Sequence, residues 1–156
     1  MSMVEKNKYG EPRISGGKIQ VVAFQLSNAE YAVEITSVQE INRLINITRV
    51  PHAPFYIEGV INLRGNIIPA INLHKKFNLS GQSFDEDTRI IVFQFADVKA
   101  AIIVDQVSEV LQLDTADIDE SEHLYSSIDA HLIKGMAKID NRLLILLDLE
   151  KMLSME

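Results

Sequence analysis

The residues best equipped for chemistry are few and scattered. Histidines stand at His52, His74, His123 and His131, and none lies three or four positions from another, the spacing that would set two imidazoles on one helix face as metal ligands. Each therefore reads as a surface or turn histidine. The chain has no cysteine, which removes thiolate nucleophiles, zinc–thiolate sites and disulfides together and suits a reducing compartment. No Gly-rich phosphate loop and no G-x-S-x-G elbow is present, so ATP, NAD and acyl-transfer chemistry lack their usual handles. The carboxylates Asp114, Asp117, Asp119, Glu120 and Glu122 lack the glycine of an EF-hand turn and read as a solvated loop. The expectation is a protein without catalytic residues, metal or cofactor.

Bulk properties narrow the class further. With 156 residues, 47% of them hydrophobic, the chain is long enough for one ordinary domain with a real core. A net charge of −7 opposes phosphate backbones and anionic lipid, which argues against nucleic-acid and membrane-surface partners. Residues 1–17 mix both charge signs and contain no apolar segment, so they read as a tail rather than a signal peptide. The apolar stretch Leu143 to Leu147 falls far short of the roughly 20 residues that span a bilayer. A soluble, cytoplasmic protein is expected.

From Lys18 onward, short β-branched and aromatic runs alternate with polar punctuation, a strand texture. "KIQVVAFQLSNAEYAVEI" and "RIIVFQFADVKAAIIV" have the same shape: placing Phe24 on Phe93, an offset of 69, also places Gln25 on Gln94, Val38 on Val107, Glu40 on Glu109 and Ile41 on Val110. "EGVINLRGNIIPAINLHKKF" aligns without a gap to "KGMAKIDNRLLILLDLEKML" at an offset of 76, with Gly59 on Gly135. We read two β-rich pseudo-repeats, about 18–84 and 88–153, of five strands each. Short antiparallel strands in fives escape exposed edges by closing into small barrels, so two packed barrels are expected. Pro69 belongs at a bulge or edge, and "DLEKMLSM" makes a short C-terminal helix capped by Asp148.

The repeat also tests one enzymatic idea. "LDTA" at 113–116 has the flavour of an aspartic-protease motif, whose chemistry needs one carboxylate from each half sharing a proton. The position matching Asp114 is Ile45, which cannot share one.

Arg64 is the residue left over, a cation inside the apolar text "GVINLRGNIIPAINL". In the second half, Asp140-Asn141 is good two-residue turn chemistry. In the first, arginine suits positive φ poorly, so Gly65-Asn66 is the expected turn and Arg64 the last strand residue before it. Such a residue is either an ordinary solvated strand end or a planar five-donor fork displayed for a protein partner.

"VVAFQLSNAEYAVEITSVQEI", "ITRVPHAPFYIEGVINLRGNIIPAINLHKKF", "RIIVFQFADVKAAIIVDQVSEVLQL" and "LIKGMAKIDNRLLILLDLEKML", in that order, resemble the CheW-type chemotaxis coupling (adaptor) proteins. The resemblance implies a mainly β fold of two five-stranded SH3-like barrels and a non-enzymatic scaffold. Such a scaffold bridges a chemoreceptor cytoplasmic tip to the regulatory domain of the CheA histidine kinase, is recruited to membrane-associated receptor arrays, and has scope for self-association. It further implies receptor contacts at Val38, Glu40, Ile41, Gly59 and Arg64. Some relatives contact the kinase through a basic and an aromatic residue where this chain has Asp119, His123 and Leu124, so its kinase-facing residues depart from that pattern. A hybrid type in the family adds a receiver domain; the second repeat ends near Leu153, so a single-domain coupler is expected. The alternatives are a generic β-barrel interaction module from another pathway and, on the weak "LDTA" hint, a hydrolase.

Overall fold

The structure is a computed structural model that describes residues 5–6, 12–13, 17–79, 83–119 and 132–154. A two-residue ladder, β1 (Glu5–Lys6) with β2 (Pro12–Arg13), precedes the body. Among the described residues, the ten strands of six residues or more are β3 (Lys18–Leu26), β4 (Ala29–Glu34), β5 (Val38–Arg43), β6 (Ile57–Leu63), β7 (Asn66–Asn72), β8 (Arg89–Phe95), β9 (Val98–Val104), β10 (Gln106–Asp114), β12 (Ile133–Ile139) and β13 (Arg142–Leu147). They map one to one onto the pseudo-repeats. A short β11 (Ile118–Asp119), two helices, α1 (Leu73–Lys76) and α2 (Leu149–Ser154), and two 3₁₀ turns, Ile35–Ser37 and Thr115–Asp117, complete the described elements.

The sheets do not divide where the sequence repeats divide. One sheet has the order β5-β8-β9-β7-β6 and the other β10-β3-β4-β13-β12-β11. Each takes strands from both halves, so the expected boundary near residues 84–88 falls inside the five-stranded sheet, between β7 and β8. The reason is local. After β4 the chain makes only a 3₁₀ turn, Ile35–Ser37, and after β9 only Asp105 separates it from β10. Neither link forms a hairpin: each carries the chain onward from one sheet into the other.

Three apolar layers hold this arrangement. Val21, Ala23, Ala32, Leu113, Ala137, Leu144 and Leu146 fill the six-stranded barrel, and Ile61, Ile68, Ala70, Ile90, Val92, Ala101 and Ile103 fill the five-stranded one. Between the barrels lie Val22, Phe24, Tyr31, Ile91, Phe93, Ile102, Leu149 and Met152, among others. Alternate residues of β3 and β8 thus enter different cores. A strand buried on both faces needs no polar alternation, which is why "VVAF" and "IIVF" read as unbroken apolar runs.

Four two-residue loops join the hairpins, closed by Leu26↔Ala29, Leu63↔Asn66, Phe95↔Val98 and Ile139↔Arg142. The first loop residue has positive φ in all four: Ser27 (57°), Arg64 (53°), Ala96 (52°) and Asp140 (54°). That is the mark of the primed turns, whose twist matches the strands they connect. The Asp140-Asn141 turn is as expected, whereas the first-half turn is Arg64-Gly65 and not Gly65-Asn66. The ladder from Ile57↔Ile71 to Leu63↔Asn66 sets the register and outweighs the roughly 1–2 kcal/mol that left-handed backbone costs a residue with a Cβ. Gly65, at φ 85°, supplies the second positive φ of a type I′ loop.

Pro69 stands in an inner strand, yet the parallel ladder from β7 to β9 begins only at Ala70, so no sheet bond is asked of its missing N–H. At α2, Asp148 Oδ1 accepts from Lys151 N at 3.1 Å, the expected cap.

Candidate functional site

Glu40 and Arg64 are 24 residues apart and meet at one corner of the five-stranded barrel. A bulge positions the glutamate: the β5–β8 register shifts between Val38 and Glu40, and the extra residue at Gln39 re-aims the Glu40 side chain. The type I′ loop positions the arginine. Arg64 Nη1 donates to Glu40 Oε1 at 2.5 Å, and Asn42 Nδ2 donates to Glu40 Oε2 at 2.8 Å. The tip is braced from within by Asn62, whose Oδ1 accepts from Gly65 N at 3.1 Å.

The pair is asymmetric in exposure: the Arg64 side chain is 72% exposed and that of Glu40 22%. Hydrogen bonding from Arg64, then from Asn42, with the nearby charge of Lys99, holds the Glu40 carboxyl below the usual carboxylate range. Glu40 is therefore an anchored anion, and Arg64 keeps donors aimed outward. With Gln39, Leu63, Asn66 and Lys99 they line a shallow cleft of about 390 Å³.

The other residues expected at a receptor surface occupy different settings. Ile41 is 36% exposed, next to Glu40 on the same strand. Val38 is partly buried against the layer between the barrels. Gly59 is buried, and a Cβ there would lie 2.3 Å from the Thr48 carbonyl oxygen, so its place is behind the surface, admitting the 47–48 backbone that bonds Val60. Its counterpart Gly135 is similarly overlaid by Ile118 and Asp119. Asp119 lies on β11, paired with Met136, away from the tip in sequence and sheet; His123 and Leu124 lie outside the described residues.

Two other expectations change. His74 is buried, not a surface histidine: its Nε2 lies 2.7 Å from Asp105 Oδ1 and its Nδ1 3.3 Å from Ser27 Oγ. Residues 27, 74 and 105 are too far apart for any spacing rule to have joined them. They are the three residue types of a hydrolytic triad, but the Ser27 backbone N–H is turned to Asp105 Oδ2 at 2.8 Å instead of toward a space where an oxyanion could form. Asp114 uses its carboxylate locally, accepting from Ala116 N at 3.0 Å to cap a 3₁₀ turn. Among the described residues, no group of three or more His, Asp or Glu is placed to hold a metal ion, and no helix is long and apolar enough to cross a membrane.

Two fused small barrels presenting an exposed, oriented arginine have the composition of a protein-contact module, since arginine is enriched at interface hot spots. Comparison with known proteins gives the family. The CheW-like domain matches residues 20–156. Chemotaxis protein CheW of Klebsiella aerogenes is 39% identical over 137 residues, covering 88% of this chain and 82% of that protein. The Treponema pallidum protein of the same name is 32% identical over 145 residues, covering 90% and 85%. The crystal structure of the scaffolding protein TtCheW from Thermoanaerobacter tengcongensis superposes with a TM-score of 0.79 at 36% identity, covering 85% of this chain and 90% of that one. The chain belongs to the CheW-like domain family.

Proposed function

We propose that this chain is a chemotaxis scaffold, without catalysis of its own, that links the cytoplasmic tip of a chemoreceptor to the regulatory domain of a CheA-type histidine kinase. Family membership supports the scaffold role, and the observation that carries the receptor contact is Arg64, fixed at its base by Glu40 and open at its outer face. A receptor tip would meet Ile41 and the Arg64 fork on the five-stranded barrel. Val38 and Gly59 would act from behind, by holding β5 and β6 in place. The oriented charges discriminate partners and register more than they add raw affinity.

The kinase regulatory domain would be met on the six-stranded barrel around Asp119, with His123 and Leu124. Recruitment from the cytoplasm to receptor arrays follows from binding both partners, and paired barrels leave scope for self-association. The test is direct: immobilised receptor cytoplasmic fragment and kinase regulatory domain should each retain the purified protein. Arg64→Glu should weaken receptor retention tenfold or more and leave kinase retention intact. Wild-type receptor binding by that variant would overturn the reading.

A further inference from the structure

The barrels meet at two junctions that the pseudo-repeat makes equivalent. At the first, the chain passes from β9 to β10 through Asp105, beside the Ser27 turn of the six-stranded barrel and His74 of α1, which follows the five-stranded barrel's β7. At the second it passes from β4 to β5 through Ile35–Ser37. The same offsets place Thr36, Ala96 and Glu150 where the first junction has Asp105, Ser27 and His74.

The two junctions are built differently. An ionised aspartate can only accept, so Asp105 takes the His74 Nε2–H at Oδ1 (2.7 Å) and the Ser27 N–H at Oδ2 (2.8 Å), and Ser27 Oγ reaches the far imidazole nitrogen at 3.3 Å. The Asp105 backbone N–H donates to Gln25 O at 3.1 Å. His74 is almost fully buried, with 6% of its side chain exposed, against 24% for Asp105. One carboxylate thus ties the end of one barrel to a hairpin of the other. At the second junction, Thr36 and Glu150 line an open cleft of about 190 Å³. The ion pair beside it, Lys134 with Glu34, joins β12 to β4 within the six-stranded sheet and so does not bridge the barrels.

We propose that Ser27, His74 and Asp105 form a one-sided clasp that pins the barrels together at this junction, so that rocking of one barrel on the other pivots here and is taken up at the Thr36–Glu150 cleft. Hydrogen bonds to a charged, largely buried group resist opening more than neutral exposed ones, and it is these bonds that distinguish the junctions, since His74 also lines a cleft, of about 430 Å³. The clasp therefore sets the angle between the barrel that bears Arg64 and the barrel that bears Asp119.

The experiment is amide exchange and residual dipolar coupling on the full chain. In the wild type, the Ser27 amide should exchange at least tenfold more slowly than that of its counterpart Ala96, after correction for intrinsic rates. Asp105→Ala should remove that difference and broaden the inter-barrel orientation, and Ser27→Ala, a milder change, should broaden it less. Grafting the clasp onto the open side with Thr36→Asp, Ala96→Ser and Glu150→His should narrow the orientation and slow the Ala96-position amide. Equal protection of the two amides in the wild type, or an unchanged orientation in a folded Asp105→Ala variant, would overturn the proposal.

Discussion

The two barrels solve the same corner differently. On the five-stranded barrel, Glu40 follows a bulge and faces an arginine on the hairpin turn, which gives it one nitrogen. On the six-stranded barrel, Glu109 follows the matching bulge, but the arginine stands two places later, as Arg142, the first residue of the return strand. There Nε and Nη2 grip Glu30 at 3.0 and 2.5 Å, and Nη1 reaches Glu109 at 2.9 Å. The Glu30 hydrogen bond above all pushes the Arg142 pKa up. Arg142 is tied to carboxylates of its own barrel, and Arg64 is presented.

Charge at the four equivalent positions diverges with it. Glu40, Lys99, Arg64 and Asn66 carry one net positive charge, and Glu109, Glu30, Asp140 and Arg142 carry two net negative ones. A duplicated scaffold can therefore hold unlike surfaces, because a strand end decides between a side chain that closes the barrel and one that leaves it.

Substitutions should separate the corners by size of effect. Gly59→Ala should be the most damaging change, on the order of 3 kcal/mol because the added methyl meets fixed backbone, with a lower thermal midpoint as the measurement. Gly135→Ala should cost less, since the nearest atom is the Ile118 Cγ2 at 2.6 Å, the end of a side chain that can turn. Equal losses would mean that the two close approaches are alike after all.

Arg142→Ala should rank next, at about 1–2 kcal/mol, because it abandons a bidentate pair of bonds to Glu30 and a further bond to Glu109. Arg64→Ala should change stability by no more than about 0.5 kcal/mol, as for an exposed pair. Denaturant midpoints of the two variants test the contrast, and a larger loss at Arg64 would reverse the assignment of presented and tied arginines.

The smallest effect is a titration. A carboxyl whose folded-state pKa is depressed contributes stability above its unfolded pKa and loses it as pH falls through the folded value. For Glu40 that window lies below the ordinary carboxylate range of about 4. In Arg64→Ala the Glu40 carboxyl should titrate higher, still held partly by Asn42, as read by carbon-detected NMR of the side chain. No movement would show that Arg64 does not anchor Glu40 in solution.

Much of this was legible from residue types. β-Branched and aromatic runs set off by turn residues give about ten strands, and the repeat arithmetic matches their counterparts in the two halves, because local propensity and turn chemistry follow from neighbours in sequence. The Asp148 cap was legible for the same reason. Arg64 was legible as an anomaly but misplaced by one turn position: the rule against arginine at positive φ is local, and the strand register that overrode it is not. Residue spacing joined neither Glu40 to Arg64, which only the family resemblance grouped, nor Ser27 to His74 and Asp105, since those contacts form only when strands distant along the chain are brought side by side.

The sequence by itself determined a β-rich duplicated chain, its hairpins and its family pattern, all of which rest on short-range spacing and on order along the chain. The tertiary structure alone decided which strands share a barrel. Links of three residues and of one, which form no hairpin, send the chain across to the other sheet. They thereby bury two faces of β3 and β8, seat His74 against Asp105, and place an anchoring glutamate under an exposed arginine.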